Sequence, residues 1–428
     1  MHSKPRVLAI LLLFAASSLS GAGFTFFEQG AKATAMGGAF VATADDPSAM
    51  FYNVAGLAYQ RAMEASVGAT LVTFANEFTG DPESLFPGAG ARAEYEDHLF
   101  VVPNTYLIVP VGTNATFAIG TFTPNALRTD WDDPNRFPGR FLSQDANIKS
   151  VSIQPSFAMK MAGDRFAWGA GIEYRTVHLS LERNQGLFNP FTGRIADIAH
   201  TRLDSDWSGE LGFNVGALYR PNPTWSIGAQ YRAPIDIEFD GDAAFTQIPT
   251  GNAQLDAIVA AQLPPDQAIR TAIEFPSIAS VGIATTMIPE WTVELDVVHT
   301  GWSSFDELTV EFLDTPQNNL VLRQDWDDAL SYRVGGFRAL TPAWELRLGA
   351  VYDETPQPLS GAGPLLPDAD RYGISFGLGY QCGPWSVDVT EFALAFAERD
   401  TQGTNKDNFN GTYETNANLV SVNIGYTF

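Results

Sequence analysis

The histidines at His98, His178, His200 and His299 are the side chains best suited to hold a metal or move a proton. Their spacing supports neither, because ligands read from sequence come clustered or paired on one face of an element, and these four are scattered. Gly377-Leu378-Gly379 lies within an alternating strand and is not a phosphate-cradling loop. Cys382 is the one cysteine, which excludes a disulfide scaffold and leaves it as an incidental turn residue. No catalytic constellation, metal site or cofactor is expected. The charges that remain are placed singly between apolar neighbours. Glu294 and Asp296 alternate with Val293, Leu295 and Val297, while Glu345, Arg347 and Asp353 oppose Trp344, Leu346, Leu348, Ala350 and Tyr352.

That alternation is a strand signal, since successive side chains of a strand point to opposite faces. It recurs along the chain: Trp207, Gly209, Leu211, Phe213, Val215, Ala217 and Tyr219 oppose Ser208, Glu210, Asn214 and Arg220, and Ile172 and Tyr174 oppose Glu173 and Arg175. Tyr231 likewise opposes Gln230 and Arg232. Short turns at 162–165, 221–224, 289–290, 341–343 and 383–384 each lead directly into an aromatic residue, namely Phe166, Trp225, Trp291, Trp344 and Trp385. Longer polar segments at 184–205, 240–270, 355–370 and 399–415 separate them. Short turns on one rim, long loops on the other and an aromatic belt describe a transmembrane barrel, in which the greasy face meets lipid.

The first residues agree. His2, Lys4 and Arg6 precede an apolar run from Val7 to Ala16, and Ser17 to Ala22 is rich in small residues, which reads as a signal peptide. No later stretch is long and uncharged enough for a membrane-spanning helix. Counting hairpins between the turns gives eight strands. A last hairpin from Trp385 to Phe428 adds two, and 62–74, 98–109, 115–122 and 148–159 add four. The expected fold is therefore an all-β, antiparallel β-barrel of about fourteen strands, an even number that lets the first and last strands pair. Its final strand alternates and closes on Phe428, as expected of a chain assembled into a Gram-negative outer membrane. Removing Lys4 and Arg6 takes the formal charge from −24 to −26, which excludes nucleic acid as a partner but suits acidic loops that meet divalent cations and lipopolysaccharide. A barrel this wide cannot be filled by its own side chains. Gly23 to Leu57, rich in Gly and Ala and with Asp45, Asp46 and Pro47 placed to start a short helix, fits a plug. The expected division is a signal peptide at 1–22, a plug at 23–61 and the barrel at 62–428.

Ala22-Gly23-Phe24, Gly37-Gly38-Ala39, Ala44-Asp45-Asp46 and Asn53 with Ala55 form a series that resembles the plug of the FadL family of outer-membrane fatty acid transporters, whose relatives pass aromatic hydrocarbons. The likeness continues through Val102-Pro103-Asn104, Leu181-Glu182-Arg183, Thr300-Gly301-Trp302-Ser303, Tyr332-Arg333, Tyr352-Asp353-Glu354-Thr355-Pro356 and Asp370-Arg371. It departs at Asn53-Val54-Ala55, where the family's usual motif is Asn-Pro-Ala. The resemblance implies a monomer with a hydrophobic tunnel that releases a long-chain fatty acid or other hydrophobe sideways into the membrane. It also implies a carboxylate clamp at Arg183 and Arg323, a polar contact between Asn53 and Asp353 that holds the plug, and Phe24 at the inner end of the tunnel. Pro124, Asn125 and Ala126 match the kink that opens the side exit; proline removes a ladder donor there. The alternative is a general diffusion porin for hydrophilic solutes, which is expected to lack a plug.

Overall fold

The computed structural model describes residues 23–84, 86–161, 163–190 and 193–428, so the expected signal peptide lies outside the described residues. Fourteen antiparallel strands close on themselves: β1 (Glu64–Gly80), β2 (Leu99–Val111), β3 (Ala115–Phe122), β4 (Asp145–Met161), β5 (Phe166–Asn189), β6 (Ser208–Asn222) and β7 (Trp225–Arg232). The circuit continues with β8 (Ile278–Thr285), β9 (Thr292–Thr300), β10 (Ala329–Ala339), β11 (Trp344–Asp353), β12 (Arg371–Cys382), β13 (Trp385–Phe396) and β14 (Gly411–Thr427). Each pairs with the next, and β14 returns to β1 in unbroken register from Glu64 opposite Thr427 to Gly80 opposite Gly411.

Alternation decides which face each side chain takes. Leu295 is 56% exposed while Glu294 beside it is 0%, and Ile172, Phe213, Ile374 and Phe376 also point outward. So wide an apolar exterior belongs in hydrocarbon. No helix among the described residues is long and apolar enough to cross a membrane, so the strands alone span it. At the short-turn rim Trp344 meets Tyr380 (4.5 Å between centroids) and Trp385 meets Tyr426 (4.8 Å). Gly163 and Asp164, both at positive φ, form one of these turns with the twist a two-residue hairpin requires. Tyr332, Tyr352 and Tyr372 form a second aromatic ladder across neighbouring strands.

The long-loop rim is more ordered than its composition implies. β5 runs to Asn189 and pairs with a ribbon at Arg194–Ser205, and Ile235–Gln247 pairs with Gln267–Phe275 around a helix at Ala253–Gln262. These segments, expected to be irregular loops, are strands that extend beyond the closed ring of fourteen.

The lumen holds the plug. Helices α1 (Ala31–Ala35) and α2 (Ala49–Tyr52) and a 3₁₀ turn at Val54–Tyr59 are almost wholly buried, with Met36, Phe40, Phe51 and Leu57 in the main core. Plug backbone lies directly on wall backbone: a Cβ added to Gly228 would meet the Val41 carbonyl oxygen at 2.1 Å. The paired charges noted above do the anchoring. Asp296 Oδ2 accepts from the Phe40 and Val41 amides (2.7 and 3.0 Å), and Glu294 accepts from those of Ala42 (2.5 Å) and Thr43 (2.9 Å).

Candidate functional site

β3 stops at Phe122, and the chain resumes at Ala126–Asp130 paired with β4 alone. Pairing between β2 and β3 ends at Thr105 opposite Thr121, so Leu99–Asn104 pair with β1 but have no strand on their other side among the described residues. Pro124 supplies the cause, since it has no N–H for a ladder. Backbone groups freed at membrane depth need other partners, and the front of the plug provides them. Phe26 N donates to Pro124 O (2.8 Å) and Ala126 N to Phe24 O (3.0 Å), while Asn125 Nδ2 reaches Phe24 O (3.4 Å). Above the slot the edges rejoin through Glu96 N to Asp130 O (2.9 Å). There His98 Nε2 lies 2.8 Å from Asp130 and 3.5 Å from Glu96, a grouping that sequence spacing hides because the seam brings residue 130 beside residue 98. Arg128 already pairs with Asp130.

Toward the long-loop rim, Phe24 forms part of the wall of a cavity of about 790 Å³, its mouth included. Leu179, Leu181, Ile273, Leu308, Val310 and Leu366 are among the apolar side chains that line the rest. Phe24 itself sits in an aromatic box with Trp302 (4.5 Å between centroids), Phe305 (5.2 Å), Trp326 (5.8 Å) and Phe275 (5.9 Å). Arg183 is two and four residues beyond Leu181 and Leu179 on the same strand face, half-buried, with its Nε unpartnered. Arg323 is different. Leu322 and Gln324 line the cavity, so alternation turns Arg323 away; it is exposed, and its carbonyl accepts from Lys406. The expected two-arginine clamp is therefore not assembled.

The expected contact between Asn53 and Asp353 is also replaced. Asn53 Nδ2 donates to Val41 O (2.7 Å) and to Ala217 O of β6 (3.1 Å), whereas Asp353 accepts from Arg333 Nη2 (3.0 Å). Arg333 in turn donates to the plug at Gly37 O (3.0 Å), so each residue fastens the plug to a different stretch of wall. Val54 in place of the usual proline has a consequence: its N–H donates to Gln230 Oε1 (2.9 Å), a bond proline cannot make. Glu28 is buried near Arg333 and Asp353; burial raises its carboxyl to about 7, with Arg333 opposing the shift.

Alternation along the strands puts Glu173, Arg175 and Arg232 on the wet face. In the fold they form one buried cluster. Glu173 Oε1 accepts from Arg175 Nε (2.9 Å) and Nη2 (2.7 Å) and from Ser152 Oγ (2.6 Å), and Oε2 pairs with Arg232. Arg175 Nη1 donates to Asn125 Oδ1 (2.9 Å), and Arg232 reaches Gln154 Oε1 (3.2 Å) and Phe51 O (3.4 Å). Their adjacency depends on register across several strands, which no local pattern displays. Gly373-Ile374-Ser375-Phe376-Gly377 carries the letters of a hydrolase elbow, but it lies within β12, and Ser375 Oγ is engaged by Ala35 O (2.8 Å) and Gly37 N (3.0 Å) of the plug.

A closed barrel with an internal plug agrees with the comparisons. The family model described as outer membrane protein transport protein (OMPP1/FadL/TodX) matches residues 12–428. The chain belongs to this family. Members of the OMPP1/FadL/TodX family are transport channels rather than enzymes, and the chain is an outer-membrane protein. A long-chain fatty acid transport protein of Escherichia coli O6:H1 is 22% identical, over 98% of each chain. A 47 kDa outer membrane protein of Pasteurella multocida is 25% identical, over 99% of this chain and 98% of its own. The fold is shared with a Pseudomonas aeruginosa FadL homologue (TM-score 0.83, 23% identity, 95% of this chain and 100% of that one). It is shared as well with the toluene transporter TodX of P. putida (TM-score 0.72, 18% identity, 94% and 99%).

Proposed function

We propose that the protein takes up long-chain fatty acids or other hydrophobic small molecules passively, as a monomer. Residues 1–22 direct export, 23–61 form the plug and 62–428 the channel; its acidic outer loops sit among lipopolysaccharide. The ligand enters the apolar cavity from the long-loop side, displaces Phe24 and leaves sideways through the slot at Pro124, Asn125 and Ala126. One observation carries this reading. Phe24 lines the cavity with its ring and holds the kinked segment with its carbonyl, so the pocket and the slot share a single residue. Each methylene moved from water into the cavity contributes about 0.8 kcal/mol, which draws a long chain inward without an energy source. Arg183, near the outer end, is the cation that meets an acid head; Asn53 and Asp353 keep the plug seated through their separate partners.

Extraction and mass spectrometry of lipid that co-purifies with the protein tests the reading. A retained fatty acid or hydrocarbon is the expected result, and Arg183→Ala should lower the acid content selectively. Fast sugar flux through proteoliposomes, with no bound hydrophobe, would overturn it in favour of a general porin.

A further inference from the structure

Arg175 and Arg232 are 3% and 2% exposed and share the single carboxylate of Glu173, which is 0% exposed. No other carboxylate pairs with either arginine among the described residues. The cluster thus carries one excess positive charge, answered only by neutral acceptors: Asn125 Oδ1, Gln154 Oε1 and the Phe51 carbonyl. A buried uncompensated cation is unfavourable, and an anion brought to it is correspondingly favoured. The cluster lies directly behind Phe24. Phe24 packs on Phe275, whose ring lies 5.7 Å from the Arg175 guanidinium, and Asn125 joins the Phe24 carbonyl to Arg175.

We propose that Arg175, with Arg232, is an inner head-group station for a carboxylate-bearing ligand. Once Phe24 is displaced, the ligand carboxylate takes the guanidinium from Asn125 Oδ1. A neutral amide oxygen is a weaker acceptor than a carboxylate, so the exchange favours the ligand. It also frees the side chain that helps hold the kink, and arrival of the head group therefore loosens the slot. The inference rests on the uptake reading above and adds to it a second recognition point, distinct from Arg183.

The test compares a long-chain fatty acid with the alkane of equal chain length, both measured against detergent-solubilised full-length protein. Arg175→Met should weaken the acid about tenfold and leave the alkane unchanged, as a lost charge-assisted hydrogen bond requires. Glu173→Gln raises the excess charge from one to two and should tighten acid binding, an effect that damage to the fold does not produce. Heat-modifiable gel mobility confirms that each variant is a closed barrel. In the wild type, adding the acid should speed hydrogen exchange at the Ala126 amide, and Arg175→Met should abolish that response. Unchanged acid affinity in Arg175→Met, or weaker acid binding in Glu173→Gln, overturns the station while leaving uptake intact. Failure of the wild type to bind either compound overturns the uptake reading instead.

Discussion

At the residue scale, orientation separates the two arginines singled out by resemblance. Arg323 sits between two cavity-lining neighbours and points away from both, whereas Arg183 continues the face of Leu179 and Leu181. Replacing Arg183 by alanine should weaken a bound fatty acid by about tenfold, the scale of one hydrogen bond to a charged group, while Arg323→Ala leaves it unchanged. Displacement of a fluorescent fatty acid measures both. Residue identity was legible here and facing was not: a one-place shift along a strand reverses the side, and neither turn nor loop composition fixes that register. Asn53 and Asp353 teach the same point, since both fasten the plug, yet to partners set by the wrap of the wall and not by their sequence neighbours.

Among elements, the plug and kink depend on each other. Every freed group of the kink named above is answered by a plug residue or by Ser150, which accepts from Asn125 N (3.1 Å). Crowding the interface should therefore unseat the plug. Gly228→Ala places a methyl against the Val41 carbonyl, an overpacking of roughly 1–3 kcal/mol, and single-channel recordings should show more frequent openings than the wild type. Acidity acts in the same place. Glu28 has a carboxyl raised from an ordinary 4.5 to about 7, so the seated plug favours the protonated form. That stabilisation is complete below about pH 4.5 and is lost as pH rises through 7. Protection of plug peptides, corrected for intrinsic exchange, should fall between pH 5 and 8, and Glu28→Gln should flatten the curve. The plug was visible in sequence as a Gly- and Ala-rich break in alternation, and the kink as a proline; their mutual hydrogen bonding, between residues a hundred apart, was not.

For the molecule as a whole, the strand count and the lipid-facing side were readable because lipid imposes period two wherever it touches the chain. Beyond the bilayer that constraint lapses, which is why the ribbons at Arg194–Ser205 and Ile235–Gln247 read as loops. Filling of the lumen predicts that intact protein in liposomes passes sugars far more slowly than an unplugged barrel of like size, as swelling rates will show. The unbroken seam of β1 with β14 bears on biogenesis. The plug precedes the first stave and is held by β6, β7, β9, β10 and β12, while the ring shuts only when its last-made stave meets its first. The cork is also gripped by that last stave, since Ala31 N donates to Asn423 Oδ1 (2.9 Å), so its hold is complete only when the cask is hooped, and Asn423→Ala should leave a sealed ring with a looser cork.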